Sequence, residues 1–222
     1  EGQQLGEIWG YVVDGYFKTD EEARNYKVDQ SFVNQMINAS ALDNGLHAGD
    51  LKFVDLDGNN KIEQTTSAND RKDMKVIGNS LPRYNYNFGI SADWYGIDFS
   101  VLFQGIGKQN WYPGAETSMF WGPYSRPYAS FIPSDFMSQV WSEENTDAYF
   151  PRPRGYVALG SNRELAVVNT KYLQNLAYCR LKNLSIGYTL PDKWLSKIGF
   201  EKIRVYFSGE NLLTFTKLHS DY

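Results

Sequence analysis

The sequence predicts an all-β fold of antiparallel strands, joined by one tight turn and by long loop regions that carry a few short helices. Three observations predict it. Tyr84, Tyr86, Phe88, Ile90, Ala92 and Trp94 alternate with Asn85, Asn87, Gly89, Ser91 and Asp93, the two-residue period of a strand with one apolar and one polar face. Beyond Tyr95-Gly96, Ile97, Phe99, Val101 and Phe103 alternate with Asp98, Ser100, Leu102 and Gln104. Strands 84–94 and 97–106 therefore form an antiparallel hairpin. The third observation is compositional: the chain is 16% aromatic, yet its mean hydropathy is -0.49. Period alone fits a soluble β-sandwich hairpin as well as a pair of membrane-crossing strands, which need about 9–11 residues each.

The other elements follow in chain order. The first seventeen residues, rich in Gly and aromatics through Gly10-Tyr11-Val12-Val13-Asp14-Gly15-Tyr16-Phe17, suit an extended segment. Thr19 is a capping residue before acidic Asp20, Glu21 and Glu22, so a helix starts near Asp20. Phe32, Gln35, Met36 and Ala39 at helical spacing predict a second helix over 31–39. Residues 43–83, dominated by Asp, Asn, Gly, Ser and Thr, read as loop. Residues 107–176 lack alternation and hold Pro113, Pro123, Pro127, Pro133, Pro151 and Pro153 beside Trp111, Trp121 and Trp141. They read as a long, ordered, aromatic-rich loop region, of a length that usually signals function, with a short helix over 134–141 capped by Ser134. Alternation returns at Leu184, Ile186, Tyr188 and Leu190. Pro191-Asp192 then opens a helix over 193–198 ended by Gly199, and Ile203, Val205 and Phe207 begin a fourth strand.

Composition narrows the function classes. The 222 residues make one large domain or two small ones, and the formal net charge is -4, which argues against non-specific nucleic-acid binding. The longest strictly apolar runs, Leu165–Val168 and Leu176–Cys179, are far too short for a transmembrane helix. A single cysteine, Cys179, excludes an internal disulfide, and two histidines, His47 and His219, leave no Cys-type or paired-His zinc site. Cys179, among apolar residues in a predicted strand, reads as a buried inert thiol. Gly105-Ile106-Gly107 follows a strand but leads into no phosphate-binding helix. No spacing singles out a carboxylate pair for glycoside hydrolysis.

One local constellation carries chemistry. Asp55-Leu56-Asp57-Gly58-Asn59-Asn60-Lys61-Ile62 places oxygen donors at alternating positions, as in the calcium loops of EF-hand and dockerin type. Asp55, Asp57, Asn59, the Lys61 carbonyl and Asp70 are the candidate ligands of a structural calcium. Asn60 stands where such loops have Gly, and Glu63 comes too early to close the shell. The alternative is an Asx-rich turn satisfied by its own backbone.

Six blocks, in order along nearly the whole chain, resemble one family. They are Gly6-Glu7-Ile8-Trp9-Gly10-Tyr11 with Asp14-Gly15-Tyr16-Phe17; Gly49-Asp50-Leu51-Lys52-Phe53-Val54-Asp55-Leu56-Asp57-Gly58 running on to Val76-Ile77-Gly78-Asn79; Phe103-Gln104-Gly105-Ile106-Gly107; Tyr149-Phe150-Pro151-Arg152-Pro153; Arg180 through Pro191; and Arg204 through Thr214. Together they resemble SusC/RagA-type TonB-dependent outer-membrane transporters. The resemblance implies that residues 1–222 form a C-terminal part of a 22-stranded transmembrane β-barrel, with the plug, the TonB box and the final strand outside this sequence. It implies an outer-membrane location, contact with membrane lipids and with the remainder of the same barrel, and TonB engaged through the N-terminal region. It also implies a SusD-like surface lipoprotein as partner, and oligosaccharides or peptides as cargo, with no catalysis and no required cofactor. In that topology the Tyr95-Gly96 turn and the 190–200 connection face the periplasm, while regions 14–83 and 107–176 are extracellular. Trp111, Tyr112, Trp121, Tyr124 and Tyr128 then become the candidate contacts to cargo or lid. The competing reading is a secreted β-rich module that binds or hydrolyses glycans.

Overall fold

The computed structural model describes residues 3–31, 45–63, 67, 69–125, 132–153, 155–160, 163–197 and 199–219. They belong to two compact units: Ser80–Asn110 with Asn175–Ser220, and Glu1–Asn79 with Trp111–Gln174. In chain order the strands are β1 (Glu7–Tyr11), β2 (Val13–Tyr16), β3 (Leu51–Phe53), β4 (Met74–Asn79), β5 (Arg83–Trp94), β6 (Ile97–Lys108), β7 (Asn110–Trp111), β8 (Gln174–Asn175), β9 (Tyr178–Thr189) and β10 (Arg204–Thr216). The helices are α1 (Asp20–Arg24), α2 (Ser118–Trp121) and α3 (Asp192–Leu195). The predicted helix over 31–39 lies outside the described residues.

The first unit is one antiparallel sheet in the order β10-β9-β6-β5. The predicted hairpin is present. Trp94 pairs with Ile97 across a two-residue turn, in which Tyr95 (φ 46) and Gly96 (φ 84) are both left-handed, the geometry that matches strand twist. Side chains of one parity form a continuous apolar face. Trp94, Ile97, Tyr188 and Val205 make one row, and Ala92, Phe99, Ile186 and Phe207 the next. Phe88 and Phe103 pair across the strands with their rings stacked at 5.0 Å, an aromatic cross-strand contact of the stabilising kind. The face stays bare: Ile90 is 61% exposed, Val205 65% and Phe207 58%.

A bulge explains why the sequence alternation in β9 fades. Leu102 pairs with Asn183 but Phe103 pairs with Leu181, so Lys182 is an extra residue. That residue resets the parity, and Leu181 and Cys179 rejoin Leu184, Ile186 and Tyr188 on the apolar side. Across from it, β10 shifts register between Glu210 and Leu213, and Lys182 Nζ donates to Asn211 Oδ1 at 3.1 Å. On the polar face, Arg204 Nε donates to Asp98 Oδ1 at 2.8 Å, and its Nη2 reaches Oδ2. The ion pair spans from β10 to β6 over Gly187 of β9. A Cβ there would come within 2.6 Å of Arg204 Nε and Asp98 Oδ1, so the pair lies directly over the glycine.

The second unit packs β1 against β4 and β2 against β3, both antiparallel. Two strands in the predicted 43–83 loop were hidden from sequence: β3 is only three residues long, and β4 pairs with a register shift at Ile8/Trp9, which suppresses a clean period. Thr19 caps α1 as expected, its side chain accepting from Glu22 N at 3.1 Å. The segment around Ser134 is not an α-helix. It is a 3-10 turn over Phe136–Gln139 with Asp135 as its cap. The core is aromatic. Phe120, Trp121, Tyr124, Phe136, Phe150 and Tyr172 are buried and meet mostly edge to face, with Trp121 and Tyr172 5.1 Å apart and Phe120 and Phe150 5.6 Å apart.

Because Trp121 is fully buried and its Nε1 donates to Gly114 O at 3.0 Å, Trp121→Ala is expected to cost this unit about 3–5 kcal/mol. Half-exposed Trp111 should tolerate Ala with less than about 1 kcal/mol. Limited proteolysis of the two variants in the intact protein checks the contrast.

Candidate functional site

The acidic turn is held by its own backbone. Asp55 Oδ1 accepts from Gly58 N at 2.8 Å, and its Oδ2 accepts from Asn60 N at 2.7 Å. Asp57 Oδ1 accepts from Asn59 N at 3.1 Å, and Asn59 Oδ1 accepts from Lys61 N at 2.8 Å. Asn60 sits at φ 61, a left-handed position that Asn tolerates better than other side chains with a Cβ. This resolves the departure from Gly at that place in the sequence. Asp29 N donates to Asn60 O at 2.9 Å, and Ile62 N donates to Asp29 O at 2.8 Å, so the turn is tied to the segment that follows α1.

The structure gathers a different acid set from the one the sequence suggested. Asp55, Asp57 and Asp73 each offer an oxygen, and the three oxygens lie within 4.8 Å of one another. Asp70 instead turns to Lys72, whose Nζ lies 3.4 Å from its carboxylate. Asn59 Nδ2 donates to Asp57 Oδ2 and Glu63 Oε2, and the Lys61 amine pairs with Glu63 at 3.4 Å. Asp73 is buried. It accepts from Leu56 N at 2.9 Å and from Glu63 N at 2.7 Å, clamping both ends of the turn. Its spacing from Asp57 matches no loop motif, so only the fold of β4 could bring it in.

Burial pushes the Asp73 pKa up against those two hydrogen bonds, and the Asp57 and Asp55 charges add to the rise. For Asp55, burial also pushes up, but the N–H donors of Asn60 and Gly58 outweigh it and the carboxyl is lowered. The three-carboxylate cluster is an oxygen donor set suited to a hard cation such as calcium.

The aromatic candidates separate sharply. Trp111 is 38% exposed. Trp121 and Tyr124 lie in the core, where they pack rather than present a surface, and the Tyr124 hydroxyl donates to Pro151 O. The Tyr112 hydroxyl lies 3.0 Å from Leu165 O and 2.9 Å from Val167 O, and accepts from Asn169 Nδ2 at 2.9 Å. Burial raises its pKa well above the tyrosine range, so it stays a neutral donor. Tyr128 lies outside the described residues. Sequence reading treated these rings as one group because burial leaves no local mark on residues spaced irregularly through a loop.

Two features of this unit were missed. Buried Asp50 accepts from Arg152 Nε at 2.6 Å, closing 102 residues of chain with a charge pair. Lys171 Nζ lies 4.6 Å from the Tyr16 ring and donates to Ala148 O at 3.2 Å; burial lowers its pKa. Cys179 is half-buried rather than buried, and Gly105-Ile106-Gly107 lies within β6.

The four-stranded sheet has one polar and one bare apolar face, the pattern of a β-barrel segment. Comparison with known proteins gives its family. No protein-family model matches the chain. It is 30% identical over 97% of its length to TonB-dependent receptor P3 of Formosa agariphila, and 27% identical over 97% to TonB-dependent receptor P39 of that organism. The chain spans only 18% and 22% of those two relatives. Its fold is similar to a chain of the RagAB peptide transporter, with a TM-score of 0.54 at 20% identity over 96% of this chain and 20% of that one. The sequence belongs with the TonB-dependent receptors, and its strands are those of their outer-membrane β-barrel.

Asp73→Ala should leave Leu56 N and Glu63 N without an acceptor and cost the turn about 1–3 kcal/mol, while Asp70→Ala should cost less than about 0.5 kcal/mol. The pH response has a definite sign. The folded pKa of Asp73 is raised, so its favourable contribution is complete below the unfolded carboxylate value and is lost as pH rises through the folded one. Proteolysis of segment 54–74 across that range should quicken with pH in the native protein, and the dependence should flatten in Asp73→Asn.

Proposed function

We propose that this chain forms part of the wall and outer mouth of a TonB-dependent importer that takes up oligosaccharides or peptides beneath a SusD-like surface lipoprotein. The observation that carries the reading is the two-faced sheet. Its bare face of Phe88, Ile90, Val205, Phe207 and Phe215 suits lipid. Its other face presents Asn85, Asn87, Ser91, Ser100, Gln104, Asn183, Ser185 and Ser208 beside the Asp98–Arg204 ion pair, Asp93, Glu210 and Arg180, polar groups that exchange hydrogen bonds with a sugar or peptide. The name of RagAB supports a peptide for that protein, and the chemistry of this polar face accommodates either class. The Tyr95–Gly96 turn and the connection carrying α3 face the periplasm in this reading, because barrels of this kind keep periplasmic turns short. The second unit then stands outside the cell, and TonB acts through parts of the receptor beyond this sequence.

Among the described candidates, Trp111 is the exposed ring that can meet cargo or lid. Trp111→Ala should lower uptake of labelled cargo about three- to tenfold, the effect of losing one stacking contact of 0.5–1.5 kcal/mol, with the receptor inserted normally. Unchanged uptake would contradict the assignment, and loss of lipoprotein binding alone would give the residue to the lid.

The acidic turn is proposed as a structural calcium position formed by Asp55, Asp57 and Asp73. Calcium would stiffen the turn and do no chemistry. Added calcium should slow proteolysis of segment 54–74 severalfold relative to chelator, and Asp57→Ala should abolish the difference. Equal rates in both would leave the turn to its own hydrogen bonds.

A further inference from the structure

Trp111 and Tyr112 follow one another in the chain yet have opposite surroundings. Trp111 is 38% exposed, whereas the Tyr112 ring packs against the aromatic core. Consecutive side chains of an extended chain leave on opposite sides, and Pro113 disfavours the helical region for the residue before it. A Tyr112 ring that points inward therefore turns the Trp111 ring outward. Among the described residues, no hydrogen bond or ring contact holds the Trp111 indole itself. Its aim is set by the chain that carries it.

That chain is anchored on its inner side. The Tyr112 hydroxyl lies between Leu165 O at 3.0 Å and Val167 O at 2.9 Å, and accepts from Asn169 Nδ2 at 2.9 Å. Asn169 is wholly buried and its amide is fully used. Its Nδ2 also donates to Val167 O at 2.9 Å, while its Oδ1 accepts from Lys171 N at 3.0 Å and Tyr172 N at 3.2 Å. The segment that carries Asn169 is in turn held to β1, with Tyr11 N donating to Val168 O at 2.9 Å and Thr170 N to Tyr11 O at 3.0 Å. Just beyond Pro113, Gly114 O accepts from Trp121 Nε1 at 3.0 Å and from Thr117 N at 3.0 Å.

We propose that Tyr112 is a positioning residue, whose hydroxyl fixes the chain at 112 and with it the direction in which Trp111 presents its ring. The inference rests on the reading of Trp111 as a contact for cargo or lid. A ring whose carrier is already ordered loses less conformational entropy when it stacks on a sugar or peptide. Phenylalanine at 112 would fill the same core space but make none of the hydroxyl contacts, so the hydroxyl and not the ring carries the role. Tyr112 thus serves the contact without touching what is bound.

The test reads the motion of the indole directly. Trp111 of the intact receptor, in detergent micelles, is replaced by hydroxytryptophan, which can be excited apart from the other tryptophans, and its time-resolved fluorescence anisotropy is recorded. With Tyr112 in place, the probe should lose less than about half of its anisotropy on the nanosecond scale of loop motion. Tyr112→Phe should raise that fast loss about twofold, as the released chain begins to move on this scale. Tyr124→Phe removes another buried hydroxyl of the same core, one that donates to Pro151 O, and should leave the probe unchanged. Nearly complete fast loss with Tyr112 in place would overturn the proposal, and this arm needs no variant to fold. An unchanged probe in Tyr112→Phe would overturn it too, as would an equal rise in Tyr124→Phe, the mark of a general loosening. The measurement uses no cargo, so it tests the anchor separately from the uptake assay of Trp111→Ala, which tests the contact.

Discussion

Everything in the first unit depends on the solvent that meets its apolar face. Four strands of 12 or 13 residues place Phe, Ile, Val, Tyr and Trp on one side in unbroken rows, and nothing in the chain covers them among the described residues. In water such a surface would drive association. In a bilayer it is the expected state, provided that every backbone N–H and C=O is paired within the protein. The strands between β5 and β10 meet that condition through antiparallel ladders on both sides. The outer edges of β5 and β10 have no partner among the described residues, and a membrane requires that further strands pair with them. The sheet is therefore intelligible only as an arc of a larger closed wall, which is what the relatives, several times longer than this chain, also indicate.

The second unit obeys a different constraint. It has little regular secondary structure, so its backbone polar groups must find partners one by one. Tyrosines, buried or half-buried, provide them. Tyr16, Tyr26, Tyr112 and Tyr124 each direct a hydroxyl to a main-chain carbonyl of another segment, while their rings fill the core. A tyrosine thus does two jobs, excluding water and satisfying an acceptor, which suits an irregular chain better than Leu or Phe would. The buried Asp50, neutralised by Arg152, works in the same way across a longer span. Losing Arg152 would strand a charge in the interior, so the pair secures the arrangement of the two segments it joins.

How much of this was readable from sequence depends on how local each signal is. The β5–β6 hairpin was legible because alternation, turn residues and strand length all agree over residues 84–106. The β9 strand was legible only from Leu184 onward, because the extra residue Lys182 reverses the parity and no local rule announces a bulge. Strands β3 and β4 were invisible: one is too short, and the other earns its pairing from a distant partner. In the acidic turn the sequence pointed to Asp70, whereas the carboxylate that lies beside Asp55 and Asp57 is that of Asp73, just before β4. For the aromatic loop, Trp121 and Tyr124 lie in the core while Trp111 keeps an exposed ring. Trp111 and Trp121 look alike in sequence, and only packing separates a half-exposed ring from a buried one.

The central claim is that alternate residues of these strands face lipid and an aqueous lumen. Single cysteines at Phe88 and Phe207, and at Asn87 and Ser208, can each be spin-labelled in the intact receptor after reconstitution, in a background with Cys179 replaced. Collision rates with oxygen and with a water-soluble nickel chelate then report the surroundings of each site. The account predicts high oxygen and low nickel accessibility at 88 and 207, and the reverse at 87 and 208. Uniform nickel accessibility at all four positions would contradict it and return the sheet to a water-soluble protein.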